Sequence, residues 1–222
     1  PVSSSHSYAL TIELGNAIYV GVVVYARDEP GGPVRAVSTL VDTDMASTEG
    51  TFEIEVGASV APDDARGLHL DDRSFWIMVR EYFVDPHDQQ ASAIVIERTD
   101  GEIIDGLPDP ADLAAGIDAA SDWIRSQARA DAALSELVAF PEESRIQADP
   151  NVKVPDDLVS LFYPTPDIAY RGCRFTLDAD EQLEVTFTPP ACRFWSVVVS
   201  TPWFESLEQR STPASINSAT FE

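Results

Sequence analysis

The densest group of chemically capable side chains lies near the C-terminal end of the chain, in the run CRFWSVVVSTPWFESLEQRSTPASINS, residues 192–218. Trp203, Glu205, Arg210 and Asn217 follow a strongly apolar segment there. An aromatic ring beside a carboxylate, a guanidinium and an amide can form an apolar platform with a polar clamp, as small-molecule and sugar sites do. The competing interpretation is that the aromatic side chain belongs to the core, while Glu205 and Arg210 form an ordinary ion pair.

Arg80, in the run MVREYF, is a further candidate ligand-binding residue. Strand alternation places Arg80 on one face with Met78 and Tyr82, and Ile77 and Val79 on the opposite face. A buried or half-buried arginine there would require a carboxylate partner. A solvent-facing arginine fits the same pattern, so the sequence leaves both orientations open.

Asp42 and Asp44, in LVDTDM, are two residues apart at the end of a predicted strand and would share a face if the strand continued. Paired carboxylates can act as acid and base or hold a divalent cation, which makes these residues weak metal candidates. The competing interpretation is a turn held by Asx-type hydrogen bonds, and it is the one that we favour.

The remaining residues predict neither a zinc site nor a cofactor. The three histidines, His6, His69 and His87, lie far apart, and Cys173 and Cys192 have no CxxC spacing. If the cysteines lie on the outer strands of a three-strand meander, the central strand separates them beyond disulfide reach, which predicts free, buried thiols. No GxSxG, GxGxxG or P-loop motif is present, so catalytic residues stay unassigned.

Composition limits the classes of partner. The net charge of −24, from 38 acidic against 14 basic residues, would repel nucleic acid and anionic lipid. No apolar run is long enough to span a bilayer, so we expect a soluble protein without membrane insertion. The compartment does not follow from the sequence, although the cytoplasm is favoured over export.

Apolar residues recur at every second position along much of the first half of the chain, which predicts several β-strands there. Gly15-Asn16 indicates a hairpin between the first two strands, and Glu49-Gly50 indicates a second turn. We predict strands over residues 7–14, 17–27, 34–41, 51–56, 73–84 and 91–97.

The middle of the chain predicts a helix. Asp109 is a plausible N-cap, Pro110 suits the first helical position, and Leu113, Ile117 and Ile124 recur at helical spacing. A proline-containing irregular connection follows the helix. The pattern then returns to strands over residues 170–177, 182–188 and 192–199.

The C-terminal run YRGCRFTLDADEQLEVTFTPPACRFWSVVVSTPWFESLEQR, followed by SINSATF, resembles the bacterial family that carries domain of unknown function 1214. Two upstream stretches, LVDTDMASTEGTFEIEV and DDRSFWIMVREYFVDP, are similar to that family as well, so the resemblance covers residues 40–222. The matching C-terminal residues are Tyr170, Gly172, Phe175, Leu177, Leu183, Val185, Pro189, Pro190, Cys192, Phe194, Trp195, Trp203, Glu205, Ser206, Leu207, Arg210, Ser215 and Asn217.

The resemblance implies an architecture rather than a reaction, because the family's biochemical function is not established. It implies a β-sandwich of the jelly-roll kind with a helical insertion. Members usually continue past the Ser-x-Asn motif with another strand, whereas this sequence stops at Glu222. The missing strand would come from a part not present here or from a partner chain, which suggests a homo-oligomer or partner contact through the C-terminal edge.

The sequence as a whole predicts a mainly β protein with jelly-roll or sandwich-like antiparallel sheets and a helical insertion near residues 109–139. Within one compact domain we expect a first β unit at 1–108, the insertion and connection at 109–169, and a second β unit at 170–222. The function that we predict is binding of a small organic or carbohydrate ligand. The alternatives are an enzyme using carboxylate acid/base chemistry on such a ligand, and a structural protein that pairs through a sheet edge.

Overall fold

The structure, a computed structural model, describes most of the first half of the chain and shorter parts of the second half. The described residues are 2–29, 32–45, 47–64, 66–85, 87–101, 109–137, 146–147, 163, 165–169, 174–201, 205–208 and 213–221. The strands are β1 Tyr8–Glu13, β2 Tyr19–Arg27, β3 Val34–Val41, β4 Ser47–Thr48, β5 Thr51–Gly57, β6 Gly67–His69, β7 Ser74–Tyr82, β8 Ala93–Arg98, β9 Ile146–Gln147, β10 Arg174–Phe175, β11 Ser196–Val198 and β12 Ser215–Asn217. The helix α1 is Pro110–Leu137.

The two larger sheets of the described chain come from its first half. One has the order β4-β5-β1-β8, with β6 also paired to β5, and the other has the order β3-β2-β7. All of these pairings are antiparallel except that of β5 with β6. Glu49 and Gly50 join β4 to β5 with φ values of 53° and 84°, the backbone that a type I′ hairpin requires, so this predicted turn is confirmed.

The core lies between these two sheets, because alternate residues of their strands point to a shared interior. It takes Leu10 and Ile12 from β1, Ile54 from β5, and Val22 and Val24 from β2, all of them buried. Packing of two antiparallel sheets over one core, with a helix inserted after β8, confirms the predicted mainly β, sandwich-like class.

The predicted hairpin at Gly15-Asn16 is wrong, because β1 and β2 belong to different sheets. The two residues instead cross between the sheets and contact the segment before β8. A Cβ atom on Gly15 would lie 1.7 Å from the Gln90 carbonyl oxygen, so a side chain has no room there. The Asn16 amide donates to the Asp88 carbonyl at 2.7 Å and its side-chain oxygen accepts from the Gln90 N–H at 2.9 Å.

The predicted helix is confirmed and runs unbroken. The Asp109 carboxylate accepts from the Ala111 N–H at 2.8 Å, as an N-cap does. Side chains of the apolar stripe are exposed, however, with Ile117 at 59% and Ile124 at 60%. In the described part of the chain, no helix combines the length and apolar character needed to cross a membrane.

The C-terminal part departs from the predicted three-strand meander. β10 pairs with β9 and β11 pairs with β12, while residues 182–188 form no strand and are mostly exposed. Both paired strands therefore take partners from outside the predicted meander. Cys192 is a free but exposed thiol, so its predicted burial is wrong, and Cys173 lies outside the described residues. The division into two β units stays a prediction.

Candidate functional site

The outer face of the β3-β2-β7 sheet, opposite the core, carries aromatic and cationic side chains. The register pairs Tyr19 with Tyr82 and Tyr25 with Trp76, and it sets Arg80 opposite Gly21. Tyr25 is 0% exposed and Tyr19 is 7% exposed, so this face is covered. The covering residues include Tyr163, which packs in a second buried cluster with Tyr25.

Three rings form a stacked series, which we call the aromatic ladder: Tyr19, Tyr82 and Phe194. The Tyr19 and Tyr82 ring centroids are 5.1 Å apart with planes inclined by 25°, and those of Tyr82 and Phe194 are 5.8 Å apart at 26°. Each such pair contributes about 0.5–1.5 kcal/mol beyond its burial of area. Tyr82 and Phe194 are half-buried. Tyr82 is the middle ring and stacks on both neighbours, so the ladder ends at the outer ring face of Phe194.

Charged groups surround the buried end of the aromatic ladder. The Tyr19 hydroxyl donates to Asp167 Oδ1 at 3.1 Å. Burial, followed by this carboxylate, raises the pKa of Tyr19, and the opposing charge of Arg80 only partly offsets the increase. Tyr19 is therefore a neutral hydrogen-bond donor throughout the physiological pH range. Asp42 contributes to the same increase and is itself bound by Arg193 through two 2.7 Å contacts.

Arg80 lies half-buried at the centre of this face. Its guanidinium donates to the Tyr25 hydroxyl at 2.8 Å and to the Tyr163 carbonyl, which also accepts from the Tyr25 hydroxyl at 2.8 Å. Of the two states that the sequence left open, half-buried and solvent-facing, the structure shows the half-buried one. Within the described residues, no carboxylate lies at ion-pair distance from Arg80, so the carboxylate partner expected for a buried arginine is replaced there by neutral oxygens.

Tyr163 connects the sheet face to α1. Its hydroxyl accepts from Trp123 Nε1 at 2.9 Å and from the Arg27 guanidinium at 3.4 Å. Its φ of 54° is a left-handed value that a bulky residue adopts only where its surroundings enforce it. Arg27 Nε and Thr165 Oγ1 are buried near this segment without a partner among the described atoms. Buried polar atoms in native structures usually have a hydrogen-bond partner, so these two atoms are exceptions.

The predicted C-terminal site is only partly described. Trp203 and Arg210 lie outside the described residues. Glu205 is exposed, and both its backbone N–H and its carboxylate contact Thr201 Oγ1 at 3.2 Å. Glu205 is thus engaged within its own loop. A role of Trp203, Glu205 and Arg210 in ligand binding stays a prediction.

Asn217 is buried and its side chain is used structurally. Its amide donates to the Val84 carbonyl at 2.7 Å, which ties β12 to the segment just after β7. Its side-chain oxygen accepts from the Ala219 and Thr220 N–H groups at 2.9 and 3.1 Å, in an Asx-type turn. The described contacts thus join Asn217 to the segment that follows β7, and its role in ligand binding stays a prediction.

Asp42 and Asp44 do not act on a common partner. Asp42 is committed to Arg193, whereas Asp44 is exposed in a turn, where its N–H donates to the Val41 carbonyl at 2.8 Å. A turn is therefore present, as in the competing interpretation, but a backbone hydrogen bond closes it instead of an Asx-type one. Among the residues that the structure describes, no three His, Cys, Asp or Glu side chains converge as metal ligands would.

Sequence reasoning missed most of the aromatic ladder. Alternation placed Tyr82 on the face of Arg80, and that signal could have directed attention to this face. Nothing local connects Tyr19 with Asp167, which is 148 residues away in the chain. Phe194 and Arg193 likewise reach the face from the C-terminal part, so their contribution follows from tertiary contacts alone.

The fold and this face define the protein as an antiparallel β-sandwich with a helical insertion and a covered aromatic-polar surface on its smaller sheet. No protein-family model matches the chain, and no curated protein matches it. The resemblance to the family with domain of unknown function 1214 therefore stays a prediction.

Two solved structures are similar to the chain. The crystal structure of an uncharacterized protein from Burkholderia cenocepacia is 22% identical, with a TM-score of 0.76 over 100% of this chain and 60% of that protein. It shows the fold alone, and the present chain spans 60% of its length. A Vibrio parahaemolyticus protein matches 43% of this chain and 27% of its own, with 20% identity and a TM-score of 0.32, which is too low to carry an argument.

Proposed function

We propose that the protein binds a small organic or carbohydrate ligand against the aromatic ladder. The observation that carries this proposal is the half-buried stack of Tyr82 and Phe194 on the same sheet face as the half-buried guanidinium of Arg80. The ring face of Phe194 that does not stack on Tyr82 can accept the apolar face of a sugar or of a flat organic molecule, and a few fixed polar groups then set its orientation.

The polar groups of this surface suit such a ligand. Arg80 holds neutral oxygens only, among the described residues, so an incoming hydroxyl or carboxylate could take over one of its donors without breaking an ion pair. These features support binding of a polar molecule with one apolar face.

Acid/base catalysis by carboxylates, the alternative enzyme hypothesis, has less support at this face. Asp42 is held by Arg193 in a bidentate ion pair, and Asp167 accepts from the Tyr19 hydroxyl. A catalytic base needs an available carboxylate within reach of its substrate. We therefore place binding ahead of catalysis.

Ligand-observed saturation-transfer NMR on the purified protein tests the proposal, with a panel of neutral monosaccharides and disaccharides, uronic acids and small aromatic carboxylates as probes. We expect at least one class to bind. We expect Tyr82→Leu to weaken that binding by up to about tenfold, because the apolar bulk is kept while the ring that stacks behind Phe194 and positions it is lost. Arg80→Met should weaken binding of the same class by removing its polar partner.

The control is Trp76→Leu, which removes a 41% exposed aromatic ring from the same strand but outside the aromatic ladder. This variant should bind like the unmodified protein, and circular dichroism should show that all variants keep their fold. The proposal fails if no probe binds, or if a folded Tyr82→Leu variant binds the probe unchanged.

A further inference from the structure

β8 forms one edge of the larger sheet and is apolar and exposed. It pairs with β1 on one side, and no described strand pairs with its other side. Its central residues are 43%, 51% and 46% exposed at Ile94, Val95 and Ile96. A native edge strand usually carries charge, proline or a bulge that prevents pairing with another chain, and the centre of β8 has none of these.

Two of these side chains continue the core face of the sheet. The register pairs Ile96 with Leu10 and Ile94 with Ile12, so each pair projects from the same side of the sheet. Leu10 and Ile12 are 2% and 0% exposed, because the second sheet covers them. The apolar surface therefore extends one strand beyond the part that is covered.

The backbone of β8 is also available for pairing. The Thr99 N–H donates to the Ser7 carbonyl at 2.8 Å, and the Leu14 N–H donates to the Gly50 carbonyl at 2.9 Å. In an antiparallel sheet, the backbone groups of successive residues form hydrogen bonds to opposite neighbouring strands. The odd-numbered residues of β1 therefore bond to β8 and the even-numbered ones bond to β5. It follows that the N–H and C=O groups of Ile94 and Ile96 point away from β1, along the open edge.

The acidic side chains beside this edge favour a partner strand that carries basic residues. Residues 91–96 are uncharged, but the outer face of the sheet behind them carries Glu13, Glu55 and Glu97, all exposed. Glu55 and Glu97 flank Ala9 in register. Pairing with a second copy through this edge would bring two such acidic faces together within molecules of net charge −24. A strand with basic residues on that side would be attracted instead.

We propose that the β8 edge binds an extended segment of a partner protein in which apolar residues alternate with lysine or arginine. The segment adds a strand to the sheet, with its backbone paired to Ile94 and Ile96. Its apolar side chains cover the exposed part of the core face, and its basic side chains lie beside Glu97. This surface is separate from the aromatic ladder and does not depend on ligand binding there.

A fluorescently labelled peptide of alternating valine and lysine, titrated with the whole protein, tests the proposal by anisotropy. We expect binding that weakens as the salt concentration rises, because basic groups meet an acidic face. A peptide with glutamate in place of lysine should bind at least about tenfold more weakly. N-methylation of the valine or lysine amides that would face β8 should cause a loss of similar size, because it removes the pairing hydrogen bonds.

Two protein variants complete the test. Glu97→Lys, at an exposed position, should weaken binding of the lysine peptide and strengthen that of the glutamate peptide. Ile96→Pro removes an N–H that points away from β1, so the β1 ladder is kept and peptide binding should be lost. If Ile96→Pro does not fold, Glu97→Lys and the methylated peptide still decide the question.

Three results would overturn the proposal. One is the lack of peptide binding at low salt. Another is equal binding of the methylated and unmethylated peptides, which would show that no strand pairing occurs. The third is a dimer of the unmodified protein that Glu97→Lys or Ile96→Pro converts to a monomer, which would make a second copy the occupant of the edge.

Discussion

Three donors converge on the carboxylate of Asp71. Arg35 donates to Oδ2 at 2.6 Å, and the Ser74 hydroxyl and the Arg73 N–H donate to Oδ1 at 2.8 and 3.0 Å. Burial by itself raises the pKa of Asp71, but the hydrogen bonds from Arg35, Ser74 and Arg73 outweigh it and hold the pKa below its usual value. These contacts join the start of β7 to β3, so the carboxylate is a structural crosslink.

The lowered pKa gives this crosslink a definite pH dependence. Because the folded state binds the proton less readily than the unfolded state, the stabilisation is present above the unfolded pKa of about 3.9 and is lost as the pH falls through the lower folded pKa. We expect Asp71→Asn to lower the free energy of unfolding by roughly 1–2 kcal/mol at pH 7, after allowance for solvent screening at the exposed Arg35. Urea unfolding at a series of pH values measures the difference.

The control is Asp72→Asn, because that neighbouring carboxylate is 85% exposed and lies 3.9 Å from Arg73. It should change stability very little. An Asp71→Asn effect that stays constant from neutral pH down to pH values below the unfolded aspartate pKa would contradict the charged crosslink.

At the scale of elements, the crossing between β1 and β2 depends on a close backbone contact at Gly15. Strands in two different sheets must be joined by a short segment, and this segment passes against the Gln90 carbonyl. Gly116, in α1, is the opposite case, because a Cβ atom there would have nothing within 4 Å. The same substitution at the two glycines should therefore act in opposite directions.

We expect Gly15→Ala to destabilise the protein by about 2–3 kcal/mol, because backbone must move to admit the methyl group. Gly116→Ala should stabilise α1 by up to about 1 kcal/mol through its better helix propensity. Urea unfolding followed by circular dichroism measures the first change, and amide hydrogen exchange within α1 measures the second. Equal stability of Gly15→Ala and the unmodified protein would show that the crossing tolerates a different path.

The charge of the whole molecule acts on its stability. With 38 acidic and 14 basic residues, we expect repulsion among carboxylates in the folded state to exceed the attraction from ion pairs. Many of the ion pairs are themselves exposed, such as that of Arg125 with Asp122. Such pairs contribute little.

We therefore expect the melting temperature to rise as sodium chloride is increased from about 10 mM to about 500 mM, since the Debye length falls from about 30 Å to under 8 Å. Differential scanning calorimetry at constant pH measures the change. A matched series in an uncharged osmolyte separates charge screening from general stabilisation by excluded solutes. A melting temperature that falls with salt would mean that ion pairs outweigh the repulsion.

The sequence by itself determined the features that depend on neighbouring residues. The Glu49-Gly50 turn, the Asp109 cap of α1 and most strand positions in the first half follow from local backbone preferences and apolar periodicity. These signals act over a few residues, so the printed chain contains all the information that they need. The mainly β class with one helical insertion could be predicted for this reason.

Only the tertiary structure decided which strands pair and which surfaces are covered. Gly15-Asn16 has the sequence of a hairpin, yet it joins two sheets, because β1 gains its partners from β5 and β8. Ile94 and Ile96 lie in a predicted strand, and only the tertiary structure shows that they are exposed, because the smaller sheet does not cover β8. The aromatic ladder and its contact with Asp167 likewise depend on segments that meet only after the chain has folded, and no local pattern specifies such a meeting.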